Sequence, residues 1–151
     1  MRIQLLDYDD LNFVELYASD NSEEFKICNS RSKFLNGSVF SIFQHCFELS
    51  HVDYSYYDVT RYDNSHIVSL RNHLMDEIAK IKKIDSAEGI SHFALKQVSG
   101  LDFLNELKSE NINWKISWEN IRNQLADVGE SLIEIVDQCI DEDKELIIKG
   151  Y

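Results

Sequence analysis

Proline is absent from this sequence, and glycine occurs only five times in 151 residues, at positions 37, 89, 100, 129 and 150. The first absence removes rigid hinges and polyproline linkers. The scattered glycines leave no glycine-rich loop to cradle a phosphate and no flexible tether. With no repeat, low-complexity tract or shift of composition, residues 1–151 read as a single domain. No apolar run approaches the roughly 20 residues that cross a bilayer. The opening MRIQLLDYDDLNF lacks the basic and apolar regions of an export signal, so the expected location is the cytoplasm. Cysteine is scarce and odd in number; Cys28, Cys46 and Cys139, each among apolar neighbours, read as reduced core thiols rather than a disulfide framework.

Positive charge is the other shortage. Fifteen Lys and Arg face 27 Asp and Glu, giving a formal net charge of -12, distributed as -5 over residues 1–30, +1 over 31–84 and -8 over 85–151. A field of that sign repels phosphate backbones and anionic lipid, so neither nucleic acid nor membrane is an expected partner; it attracts a basic protein.

Apolar material is plentiful: 44% of the residues, including 8 Phe, 7 Tyr and 2 Trp. A chain of this length buries roughly 70% of its unfolded surface. Residues 2–8 (RIQLLDY) and 25–29 (FKICN) carry partial period-2 character and read as strands, while 10–18 fits a strand or a helical turn. From Ser38 a dense apolar set, Val39 to Leu49, predicts a largely buried helix of about three turns. Residues 52–64 read as a loop with a short strand. Asn64 or Ser65 is placed to cap a helix with the stripe Ile67, Leu70, Leu74, Ile78 and Ile81, ending in Lys80, Lys82 and Lys83. Ser86 opens a further helical segment, and Ser99 with Asp102 caps one bearing Phe103, Leu104 and Leu107. The alternation of 112–117 predicts a short extended piece. Ser117 then starts the last long helix, whose residues Ile121, Leu125, Val128, Leu132, Ile135 and Cys139 recur in steps of four and three. Residues 145–151 either extend it or form a strand. The fold expected is α+β and predominantly helical, four to five helices with a small sheet from the N-terminal segments, joined by the C-terminus if that is extended. An all-α bundle is the alternative.

Catalytic and metal signatures are missing. His73 and Glu77 lie one turn apart, but two ligands without a third make no site. His45 and Cys46 are sequence neighbours, yet adjacent helical side chains diverge by about 100°, so they are not read as a base and its thiol. The acids Glu23/Glu24 and Asp141/Glu142/Asp143 sit in polar runs with nothing to raise a carboxyl for acid catalysis, and 141–145 lacks the spacing of a calcium loop. The expectation is a protein without catalytic residues, cofactor or metal.

Two features suit protein recognition. Asp53, Tyr54, Tyr56, Tyr57, Asp58, Tyr62 and Asp63, with Arg61 among them, combine rigid aromatics with carboxylates that pair with Lys or Arg. On the last helix, Glu119, Asp127, Glu130, Glu134, Asp137, Asp141, Glu142 and Asp143 are opposed over residues 117–143 by Arg122 alone; Asp127, Glu130, Glu134 and Asp137 are the candidate contacts. In size, acidity, absence of a catalytic motif, aromatic-acidic segment and missing export signal, the chain resembles the immunity proteins of bacterial toxin systems, including contact-dependent growth inhibition. That resemblance implies a cytoplasmic protein that binds a cognate toxin domain, often a basic nuclease, and covers its active site. A second reading makes the 121–139 seam the working surface of a helical regulatory or scaffolding module, packed on a partner helix or on a second copy in a homodimer.

Overall fold

A computed structural model describes residues 1–7, 13–20 and 24–151. Its elements are, in chain order, strands β1 (Phe13–Ser19) and β2 (Lys33–Asn36), helices α1 (Gly37–Phe40) and α2 (Gln44–Ser50), strand β3 (Thr60–Tyr62), helices α3 (Asn64–Lys82), α4 (Ala87–Ala94) and α5 (Gly100–Glu110), a 3-10 turn (Trp114–Ser117), helix α6 (Trp118–Asp141) and strand β4 (Glu145–Gly150). The architecture is α+β and dominated by helix. None of the described helices is long and apolar enough to cross a membrane.

The strands form one antiparallel sheet of order β2-β1-β4-β3. The last segment is thus strand over Glu145–Gly150, and β4 lies between β1 and β3, with Leu16 opposite Ile148 and Tyr62 opposite Leu146. Alternation along the strands turns Val14, Leu16, Ala18, Leu35, Leu146 and Ile148 toward the helices, where they join the core. On the outer face, Phe25 stacks on Tyr17 at 6.3 Å, and Lys149 sits over the rings of Phe25 and Tyr151.

Among the described residues, the strands read into 2–8 and 25–29 are not there. Leu6 makes only an isolated bridge to Phe34, and 25–29 turns back at Cys28, whose φ of 50° is left-handed and ends any extended run. Cys28 is exposed, against expectation; Cys46 and Cys139 are buried. The strand in 10–18 begins at Phe13; Tyr8, Leu11 and Glu23 lie outside the described residues. The three-turn helix from Ser38 is two short ones. Asn36 caps α1 through its side chain, Ser41 Oγ donates to the Ser38 carbonyl, and the chain re-enters helix at Gln44. The alternation of 112–117 also misleads, because 114–117 is a 3-10 turn in which Trp114 is buried and Ile116 is 85% exposed, and Ile112 before it is 88% exposed.

α3 follows its expected stripe, all five residues buried, and its cap is Asp63, one position before the expected pair, accepting from the Ser65 amide at 2.9 Å. Ser99 and Ser117 precede α5 and α6 without making a side-chain cap bond. α6 buries Ile121, Leu125, Val128, Leu132 and Cys139 as predicted, but Val136 takes the place given to Ile135. A straight helix drifts against a strict heptad by about 20° per repeat. α3 and α6 run antiparallel in close contact. A Cβ on Gly129 would stand 2.5 Å from Ile78 Cγ1, so only glycine lets the two backbones approach this far. The 121–139 seam therefore lies inside the protein's own core and offers no outward surface for a partner helix. Burial of its apolar side chains, at about 1.5–3 kcal/mol each, outweighs like-charge repulsion of a few tenths of a kcal/mol per pair on the opposite face.

Candidate binding surfaces

The aromatic-acidic segment does not form one patch. Tyr62 is fully buried and donates its hydroxyl to the Phe47 carbonyl at 2.8 Å, so it is a core residue and no partner contact. Tyr54 is half-buried against Phe47, and burial pushes its hydroxyl well above the ordinary range. Asp53 and Asp58 are exposed, the former with its amide held by His51 Nδ1. Tyr56 and Tyr57 meet edge to face at 4.9 Å beside a groove, Tyr57 being 74% exposed. Tyr56 is fixed from below by Gly150, where any Cβ would fall 2.4 Å from its ring.

Asp63 belongs to the other feature. It caps α3, accepts from Ser65 Oγ, and lies 2.8 Å from His66 Nδ1; hydrogen bonds from Ser65 and His66 hold its carboxyl down at about 2. Next to it Asn64 Nδ2 donates to Asp143 Oδ1 at 2.7 Å, which joins the start of α3 to the acidic end of α6. His51 and His66 stack at 4.1 Å over the same junction.

Along α6 the acids separate into two rows. In the inner row, Glu130 pairs with Lys82 and Asp137 with Arg71, each at 2.5 Å, so cations from α3 neutralise two of the four candidate contacts on a face the sequence presented as nearly unopposed. Arg122, the one cation on the helix, turns instead to the Ile84 carbonyl and the Asn123 side chain. The outer row is Asp127, Glu134 and Asp141, all exposed and seven residues apart, hence about 10.5 Å per step along one line of the helix. Among the described residues these three carboxylates have no ion-pair or hydrogen-bond partner. Beside the inner row, α3 exposes Val68 (51%) and Met75 (47%), again seven apart, with Arg71 Nη1 against the Met75 sulfur. These two side chains were missed. The signal was legible, since neither belongs to the Ile67–Ile81 stripe.

Two depressions flank the start of α2. One, of about 460 Å³, is lined by Gln44, Tyr56, Tyr57, Ser99 and Asp102 among others. The second, of about 490 Å³, is lined by His45, Glu77, Lys80, Phe93, Lys96, Gln97 and Val98. At its floor Glu77, 1% exposed, accepts from His45 Nε2 at 3.1 Å, Lys80 Nζ at 2.9 Å and Gln97 Nε2 at 3.0 Å. Glu77 thus faces His45 and not His73. Cys46 Sγ also lies 3.6 Å from His45 Nε2, closer than helical divergence predicted, because the imidazole folds back across its own helix. A relay to a thiol uses both ring nitrogens, one for the thiol and one for the acid. Here Nε2 serves both, while Nδ1 is buried without a partner. Burial, then the Glu77 charge, pushes the Cys46 thiol up to about 12, so it stays protonated and unreactive. Among the described residues no group of three or more His, Cys, Asp and Glu is placed to hold a metal ion. Comparison with known protein families, curated proteins and solved structures finds no match to this chain.

Proposed function

We propose that this chain is a non-catalytic cytoplasmic protein that binds and neutralises a basic protein, in the manner of an immunity protein covering a toxin domain such as a nuclease. The supporting observation is the outer row of α6, where Asp127, Glu134 and Asp141 stand exposed and unpaired, across the Lys82–Glu130 and Arg71–Asp137 pairs from the exposed apolar residues Val68 and Met75 of α3. Partner faces combine a desolvated apolar centre with a charged rim, and unpaired carboxylates at the rim accelerate encounter with a cationic surface. Desolvation of Glu130 and Asp137 would cost less than that of lone carboxylates, since Lys82 and Arg71 already pair them. Asp53 and Asp58 extend the acidic field beyond the α3 cap.

Charge reversal tests this. The tagged protein captures its basic partner from the source organism at low salt, and purified partner loses its activity on binding. Asp127→Lys with Glu134→Lys leaves the unfolding temperature unchanged and lowers the association rate by about tenfold or more, an effect that shrinks as salt rises. Glu134→Lys with Asp58→Lys weakens binding likewise. Capture that ignores both the reversals and the salt removes the proposal.

A further inference from the structure

We infer that the groove between the start of α2, the 54–59 loop and the turn before α5 receives a guanidinium, an arginine side chain presented by the basic partner; that the partner supplies it rests on the function proposed above. Three observations converge on a planar cation. The groove, about 460 Å³, admits a side chain together with the loop that carries it, and no lysine or arginine is among the described residues lining it. Its one charged side chain is Asp102, exposed in the first turn of α5, and the carboxylate has no ion-pair or hydrogen-bond partner among the described residues. Facing it are Tyr56 and Tyr57, locked edge to face, which present one ring held by Gly150 and one open to solvent. A guanidinium stacks on an aromatic face while its N–H groups reach a carboxylate in the same plane, which a compact ammonium cannot do. Gln44 and Ser99 add neutral acceptors at the rim. The walls are set before any ligand arrives. Ser99 is held left-handed at φ 56°, and Gly100 approaches Ala94 so closely that a Cβ would stand 1.7 Å from its carbonyl oxygen. Little ordering then opposes binding.

The test is an amide chemical-shift titration of the full chain with acetyl-Gly-Arg-Gly-amide and with the same peptide carrying citrulline, uncharged and of equal shape, in place of arginine. The arginine peptide is expected to shift Gln44, Tyr57, Ser99 and Asp102, and to bind about fivefold more tightly than the citrulline peptide. Asp102→Asn and Tyr57→Ala, both at exposed side chains, are expected to lose a similar factor at unchanged unfolding temperature. Equal binding of the two peptides, wild-type affinity in Asp102→Asn, or shifts confined to α6 would each overturn the assignment. If the peptide seats in the groove while reversal on α6 leaves partner capture intact, the groove stands and the α6 reading falls. If reversal on α6 abolishes capture while the peptide ignores the groove, the opposite holds.

Discussion

His45 Nε2 lies 3.1 Å from Oε2 of Glu77, a carboxylate almost wholly removed from solvent and also bonded by Lys80 and Gln97. Burial alone would raise the Glu77 carboxyl, but the hydrogen bonds and charges of His45 and Lys80 outweigh it and hold the carboxyl below its usual range. A carboxylate lowered in the folded state adds stability above the unfolded pKa of about 4.3, and that contribution is lost as pH falls through the folded value. Glu77→Gln is therefore expected to flatten the acid limb of a denaturation series below about pH 4.3. Glu77→Ala, which takes the acceptor from the partly buried His45 and Gln97, should destabilise by about 1–3 kcal/mol at neutral pH. An unchanged acid limb in Glu77→Gln would show that the charge is not what the site holds.

At the head of α3, Asp63 invites a paired measurement. Removal of its cap in Asp63→Ala should cost about 1 kcal/mol at pH 7, while Asp63→Asn keeps the cap bond to Ser65 and costs much less. With the carboxyl held at about 2, wild type loses the advantage of the ionised cap between about pH 4 and pH 2. The Asn variant, having no proton to bind, should lose nothing of its own there. Chemical denaturation across that interval distinguishes the two.

Alkylation separates the cysteines. Cys28 is exposed, whereas burial pushes the thiols of Cys46 and Cys139 up to about 12. Intact-mass analysis after brief treatment with iodoacetamide at pH 8 should show one adduct on native protein and three on protein unfolded in guanidinium. Rapid native labelling at Cys46 would contradict the packing around His45.

Gly129 tests the α3–α6 contact. Alanine gains about 1 kcal/mol of helix propensity but must displace Ile78, and overpacking of a filled core costs about 1–3 kcal/mol. The expected sum is a destabilised protein. In an Ile78→Ala background, where both Cγ1 and Cδ1 are gone, Gly129→Ala should cost less in urea titration than it does in the wild type, since the methyl then has room.

Local periodicity made α3 and α6 legible, down to the stripe residues save Ile135, while nothing in the pattern marked Gly129 as the point where the two helices meet. β2, four residues with no alternation, became a strand only through pairing with β1 and Leu6, and residues 25–29 looked extended until Cys28 turned left-handed. Pairing partners that far apart leave no trace in a sequence window. The same limit governs the binding surfaces. Asp127, Glu134 and Asp141 could be found by counting sevens, but that Lys82 and Arg71 cross from α3 to their neighbours Glu130 and Asp137 is a fact of packing. Tyr56 and Tyr62 have equal chemistry in one segment; β3 carries one inward, and Gly150 holds the other at a groove.

Because β4 lies between β1 and β3, only β1 and β2 can pair before residues 145–150 are in place: Leu16 waits for Ile148, and Thr60 waits for the same residue. Closure of such loops precedes any reward from pairing, so assembly of the sheet is slow relative to the helices on either side. Until residues 145–150 arrive, β1 and β3 present open backbone edges next to apolar side chains. The interval before that insertion is when the chain is most exposed to edge-to-edge association, and a variant that weakens β4 would reveal itself first in yield on refolding rather than in the stability of what has folded.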